Sequence, residues 1–137
     1  MRVILDTNVV LDVLLARKPF VQQAARVFSL AEQSRIEGYL CATTITTVDY
    51  LLMRSLPTKD ARQAVWRLLE LFEIAVVNRP VLEEALRSNM ADFEDAVLDQ
   101  AGRLAGVEAV VTRNAKDFRH ASLKIFDPIE FLSQLEL

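Results

Sequence analysis

The sequence predicts a three-layer α/β/α fold around a central parallel sheet of four or five strands. Three observations carry that expectation. Short, continuous apolar runs with β-branched members recur along the chain, as in strands covered on both faces. Stretches with apolar residues at helical spacing separate them, which implies right-handed βαβ crossovers. Acidic or capping residues follow several of the runs directly, the usual punctuation between a strand and the next helix.

In chain order, Val3, Ile4 and Leu5 form the first strand and stop on Asp6. Thr7 or Asn8 is then placed to cap a helix carrying Val9, Val10, Val13 and Leu14. From Pro19 to about Glu37, Val21, Ala24, Ala25, Val27, Phe28 and Ala31 keep a helical period, with Pro19 in the first turn and Gly38 ending the region. Residues 39–42 read as the second strand, with Thr43 and Thr44 as caps of a helix through Val48, Leu51 and Leu52 and with Asp49 about one turn in. Beyond Pro57, Ala61, Ala64, Val65, Leu68, Leu69 and Phe72 mark an amphipathic helix, on which Trp66 is expected to pack.

Residues 74–77 make the third strand, and Asn78 to Pro80 start a helix with Val81, Leu82, Ala85 and Leu86. Asp92 opens the next helix, whose buried face holds Ala96, Val97, Ala101, Leu104 and Ala105 and whose stop is Gly106. Residues 109–111 are the fourth strand, 124–126 the fifth, and a last helix follows Pro128.

A chain of 137 residues suits one domain, here 1–137, large enough to bury a core. With 52% hydrophobic and 26% charged residues, and only three Gly and four Pro, nothing in it reads as linker or disorder. Sixteen basic against nineteen acidic residues give a net charge of −3, which excludes a protein that coats nucleic acid electrostatically. A nucleic-acid partner must be gripped locally. Asp6 and Asp12 interrupt the apolar start, so neither a signal peptide nor a membrane span is expected. The single cysteine, Cys41, cannot form an internal disulfide and fits a reducing compartment, so a cytoplasmic location is expected.

The chemistry lies in the acids. Asp6 follows the first strand, Asp49 enters the helix after the second, Asp95 sits in the first turn of the helix before the fourth, and Asp117 lies just past the fourth. In a parallel sheet all four can reach the edge at the strands' carboxyl ends, where such folds bind their ligands. Two unit charges about 5 Å apart repel by roughly 3 kcal/mol at an effective dielectric near 20, so the cluster calls for a cation. Oxygen donors from Asp, with Asn available as a carbonyl donor, suit Mg²⁺ or Mn²⁺; one His and one Cys supply zinc poorly. Asp92, Asp95 and Asp99 share a helix face; the helix dipole accounts for the acids of the first turn but not for Asp99. After the fourth strand, Arg113, Lys116 and Arg119 supply the local positive potential a phosphodiester needs, and Thr112 could hold a water or a phosphate oxygen.

These residues resemble the PIN-domain metal-dependent ribonucleases, whose most numerous bacterial members are VapC-type toxins of toxin–antitoxin pairs. Asp6-Thr7-Asn8-Val9 is similar to the family's opening motif, Asp92-Phe93-Glu94-Asp95-Ala96 to its acidic helix start, and Thr112-Arg113-Asn114 through Asp117-Phe118 to its closing motif. The resemblance spans the chain. It implies metal coordination by Asp6 and Asp95, with Asp117 or Asn114 as a further ligand and Asp49 as the second acid. At that second position the family usually has Glu, one methylene longer. Asp99 becomes a candidate for outer hydrogen bonding or a second ion, and Asn8 for orienting the loop of Asp6. A homodimer, an RNA substrate and an antitoxin partner are also implied.

The expected reaction is metal-assisted phosphodiester hydrolysis, with Arg113 and Lys116 on the substrate. A PIN-like binding or regulatory module with a weakened metal site is the alternative. A phosphoacceptor receiver domain needs an Asp ending its third strand, where this chain has Val77 and Asn78. His120 reads as a surface loop residue.

Overall fold

The computed structural model describes residues 1–135. Five strands, β1 (Arg2–Leu5), β2 (Glu37–Cys41), β3 (Glu73–Ala75), β4 (Ala109–Val111) and β5 (Lys124–Phe126), form one sheet in the order β3-β2-β1-β4-β5, and every pairing is parallel. Seven described helices cover it: α1 (Thr7–Leu14), α2 (Val21–Glu32), α3 (Ala42–Leu52), α4 (Thr58–Leu71), α5 (Arg79–Arg87), α6 (Phe93–Leu104) and α7 (Pro128–Leu135). A 3₁₀ turn, Ala115–Phe118, follows β4. None of the described helices is long and apolar enough to cross a membrane.

Alternation along the strands explains the three layers. Val3 and Leu5 of β1, Leu40 of β2 and Ala109 and Val111 of β4 point to one face, into a core completed by α1 to α4 and α7. Ile4, Cys41, Ala75 and Val110 point to the other, against α5 and α6. Both faces are dry, which is why the strands read as unbroken apolar runs.

Several boundaries differ from the sequence expectation for physical reasons. Helix α2 starts at Val21, so Pro19 precedes it, and the helix ends at Glu32. Gly38 lies inside β2: a Cβ there would stand 2.6 Å from the Phe72 ring, so glycine answers a close approach and not a helix end. Cys41 is the N-cap residue of α3, which begins at Ala42, so neither Thr43 nor Thr44 caps it. Strand β3 stops at Ala75 because β2, its only neighbour among the described residues, ends opposite at Cys41; Val76 is left 62% exposed. Trp66 is 66% exposed on the outer side of α4 and does not pack inward. Gly106, at φ +81°, does end the α6 region, and His120 is exposed in a loop.

The strand order fixes where a ligand can sit. From β1 the chain moves outward to β2 and β3 on one side, then crosses through α5 and α6 to β4 and β5 on the other. The connections therefore diverge beyond the carboxyl ends of β1 and β4, and a crevice opens at that switch point.

Candidate active site

Asp6 and Thr112 flank the switch point because Leu5 and Val111 are paired in register. The Asp6 amide donates to the Val111 carbonyl at 2.9 Å, extending the ladder by one residue before the chains part. Beyond it the Asp6 carboxylate is held on both oxygens. Oδ1 accepts from the Thr7 amide at 2.8 Å, so that Asp6 itself, rather than Thr7 or Asn8, is the N-cap residue of α1. Oδ2 accepts from the buried Thr112 hydroxyl at 2.7 Å and from Asn8 Nδ2 at 3.3 Å. Thr112 Oγ1 in turn accepts the Asn114 amide at 3.0 Å, and Asn8 Oδ1 the Arg113 amide at 3.4 Å, which ties the loop after β4 to the loop after β1.

A cleft of about 390 Å³ opens over this pair, lined by Asp6, Asn8, Arg17, Asp92, Glu94, Asp95, Arg113, Asn114 and Asp117 among others. Asp92 is the N-cap residue of α6, its carboxylate accepting the Asp95 amide at 2.9 Å. That cap turns the first turn of α6, with Glu94 and Asp95, towards the sheet's carboxyl edge. Asp117 arrives from the 3₁₀ turn.

The acids feel one another. Burial raises the Asp6 carboxyl above its ordinary value, the Thr112 and Thr7 hydrogen bonds oppose the rise, and the charges of Asp92 and Asp117 add to it. Asp95 is pushed up to about 7, first by burial, then by the charges of Asp6, Asp92, Asp117 and Glu94. Two perturbed carboxyls in one cleft mark a place suited to chemistry.

The remaining candidates separate. Asn114 lines the cleft, and Asn8 is bonded to Asp6 as above. Lys116 lines the adjoining crevice with Asp117, Arg119 and His120, not the cleft itself. Asp49 is not brought to the cleft. It pairs with Arg62 of α4 at 3.0 Å, because it lies five residues beyond Thr44, which faces α1 and accepts the Thr7 hydroxyl at 3.1 Å. Five residues of helix turn a side chain by about 140°, so Asp49 points away from the cleft when Thr44 points towards α1.

Asp99 is also elsewhere. It is 1% exposed and accepts the amides of Ser122 at 2.9 Å and Leu123 at 3.1 Å, so it fastens the loop before β5 to α6. Arg17, which beside Lys18 and Pro19 reads from the sequence as a weak candidate for gripping RNA or an antitoxin, lines the cleft, and so do Asp92 and Glu94, which the sequence offers only as parts of the acidic helix start. For the two acids, the Asp92–Asp95 run itself carried the signal.

The donor set fits a hard divalent cation. It is all oxygen, it is acidic, and two of its members hold protons more tightly than isolated carboxyls because of burial and then of their neighbours' charges. Among the described residues no group of three His, Cys, Asp or Glu side chains stands close enough to hold a metal ion directly. Magnesium does not need one, since it usually keeps several waters and is held through one or two carboxylates.

Comparison with known proteins agrees with the architecture. The fold superposes on VapBC2 from Rickettsia felis, bound to a DNA fragment from their promoter, with a TM-score of 0.73 at 13% identity over 93% of this chain and 98% of that one. FitAcB from Neisseria gonorrhoeae gives 0.70 at 22% identity over 93% and 98%. VapC20 from Mycobacterium tuberculosis, a sarcin-ricin loop cleaving toxin, gives 0.62 at 18% identity over 79% and 86%. No curated protein matches the sequence. The PIN domain family model matches residues 2–116, a span that runs from β1 into the 3₁₀ turn and contains both perturbed carboxyls, and the chain therefore belongs to the PIN domain family.

Proposed function

We propose that the chain is a divalent-metal-dependent endoribonuclease and acts as the toxin of a toxin–antitoxin pair. The observation that carries this reading is the convergence of Asp6, Asp95 and Asp117, from three separate elements, on one cleft at the switch point of the sheet. Asp6 and Asp95 would hold Mg²⁺ or Mn²⁺ directly, with Asp117 reaching the ion through its waters. Asp117 is preferred to Asn114 in that place because a carboxylate attracts a hard dication more strongly than a neutral amide oxygen does. The bound ion would supply an activated water and charge stabilisation at the phosphate.

The chain's own residues do the rest. Thr112 and Asn8 hold the Asp6 carboxylate by one oxygen, while the Thr7 amide holds the other, so its orientation is set before anything binds. Arg113 stands at the cleft wall on the side of the bound strand, and Lys116 adds positive potential from the next crevice. The reading includes an antitoxin partner, a homodimer and a cytoplasmic setting. The VapBC2 complex of Rickettsia felis, a protein of the same fold, supports the first of these.

The test is cleavage of a mixed RNA pool with and without Mg²⁺, with Asp6→Asn as control. Cleavage that needs Mg²⁺ and falls at least a hundredfold in Asp6→Asn, with an unchanged circular dichroism spectrum, supports it. Equal cleavage by the variant refutes it. One observation favours the alternative of a binding module: α3 offers Thr44, not a carboxylate, next to the site. Failure of millimolar Mn²⁺ to raise the melting temperature would select that alternative.

A further inference from the structure

Asp12 of α1 is a charged residue that the reaction above does not use, and it is 1% exposed. Its carboxylate accepts three N–H bonds from two arginines: Arg17 Nε at 2.9 Å, Arg113 Nε at 2.6 Å and Arg113 Nη2 at 3.2 Å. Arg17 Nη2 also donates to the Asn8 carbonyl at 3.1 Å. The Arg113 guanidinium lies 3.8 Å over the Phe20 ring. Both arginines are thus locked along one edge.

Both also line the acidic cleft, and their side chains remain 38% and 24% exposed. Stability alone is a weak reason for the arrangement. A buried carboxylate is expensive to desolvate and is often replaceable by packed apolar atoms. Here, moreover, two positive charges meet one negative, so the cluster leaves a net positive charge on the rim of a cleft that is otherwise acidic.

We propose that Arg17 and Arg113, held by Asp12, form a phosphate-binding subsite for the RNA strand next to the scissile phosphodiester, with Asp12 as a positioning residue. The proposal rests on the nuclease reading. Guanidinium forks match phosphate oxygens two at a time and stay charged at every working pH. Because Asp12 already fixes both side chains, little rotamer freedom is lost when a phosphate binds. On a chain of net charge −3, such a fixed pair meets the need for a local grip on a polyanion.

The test uses the full chain with Asp6→Asn, which the nuclease reading makes inactive, and a fluorescent 12-nucleotide RNA in Mg²⁺, followed by anisotropy from 50 to 200 mM NaCl. Adding Arg17→Gln is expected to weaken binding about tenfold and to flatten the slope of log K against log salt by about 0.7, one phosphate contact on a single strand. Arg17→Lys restores the slope but not the full affinity, since a point charge lacks the fork. In the otherwise wild-type chain the loss from Arg17→Gln falls on KM rather than kcat. Asp12→Asn, if its melting curve shows a folded chain, reproduces the loss of affinity.

An unchanged slope and affinity in the folded Arg17→Gln variant, or no RNA binding at 50 mM NaCl, overturns the proposal. Slope loss in a chain whose wild type does not cleave RNA leaves the subsite standing and removes the nuclease reading instead.

Discussion

Removing the Asp95 charge should stabilise the protein when no metal is bound. A carboxyl held near 7 when its ordinary value is 3.8 is favoured in its protonated form by the folded state. In a fully dry site that difference corresponds to roughly 4 kcal/mol, and partial solvation of Asp95 reduces it to about 2 kcal/mol. The folded carboxyl binds the proton more tightly than the unfolded one. The contribution is therefore fully present below pH 4 and is lost as the pH rises towards 7.

In EDTA the wild type should melt lower at pH 8 than at pH 5. Asp95→Asn has no carboxyl to ionise there, so it should lack this part of the pH dependence and melt roughly 6–8 °C above the wild type at pH 8. Mn²⁺ at a hundred times its dissociation constant should then raise the wild type by about 2.7 kcal/mol and the variant by far less. Thermal melts by circular dichroism over pH 4 to 8, with and without Mn²⁺, decide it. Parallel pH curves for the two proteins, or an equal Mn²⁺ response, would refute the account of the cleft as a set of mutually repelling ligands.

Asp49→Asn breaks an ion pair whose arginine is 61% exposed, so it should cost less than about 1 kcal/mol and leave the Mn²⁺ midpoint in the same melts unmoved. Asp99→Ala leaves the Ser122 and Leu123 amides without their acceptor. It should lower stability by about 2–4 kcal/mol in urea titrations and speed amide exchange in 119–123, again without moving the Mn²⁺ midpoint.

The contrast between Asp6 and Asp49 shows which parts of the site the sequence could carry. Asp6 directly follows a strand, and its direction is fixed by a pleat whose register with β4 is set by two buried runs of hydrophobic residues. The same is true of Thr112. A residue several positions into a helix has no such anchor, because each residue of error in the helix start rotates it by 100°. Helix α3 begins at Ala42, with Cys41 as its cap, and not at the threonines; that shift, with two turns of helix before Asp49, took the side chain round to α4. Asp99 failed differently. It keeps roughly the angular position of Asp95 but lies about 6 Å further along α6, past the cleft and level with the loop before β5. The apolar and small residues around Gly38 had the same ambiguity: a glycine between a helix and a strand signals a turn or a close contact, and only the position of Phe72 decides between them.

The lone pairs of Asp6 limit how it can serve as a ligand. A carboxylate offers about four acceptor positions, two on each oxygen. Here Oδ2 accepts from Thr112 and from Asn8, and Oδ1 from the Thr7 amide. The chain itself therefore fills about three of the four, and the one that remains is on Oδ1, the oxygen that also caps α1. A residue so committed can contribute a single oxygen to a cation and cannot swing to follow it. Three of the other four acids that line the cleft differ, since Asp117 and Glu94 are exposed and Asp92 is exposed while capping α6, whereas Asp95 is half-buried. On the proposed reading, the rigid acid would set the ion's position and the looser ones would adapt to it. The Thr112 hydroxyl is what fixes that geometry: its hydrogen bond orients the Asp6 carboxylate and opposes the rise in its pKa that burial and the charges of Asp92 and Asp117 cause.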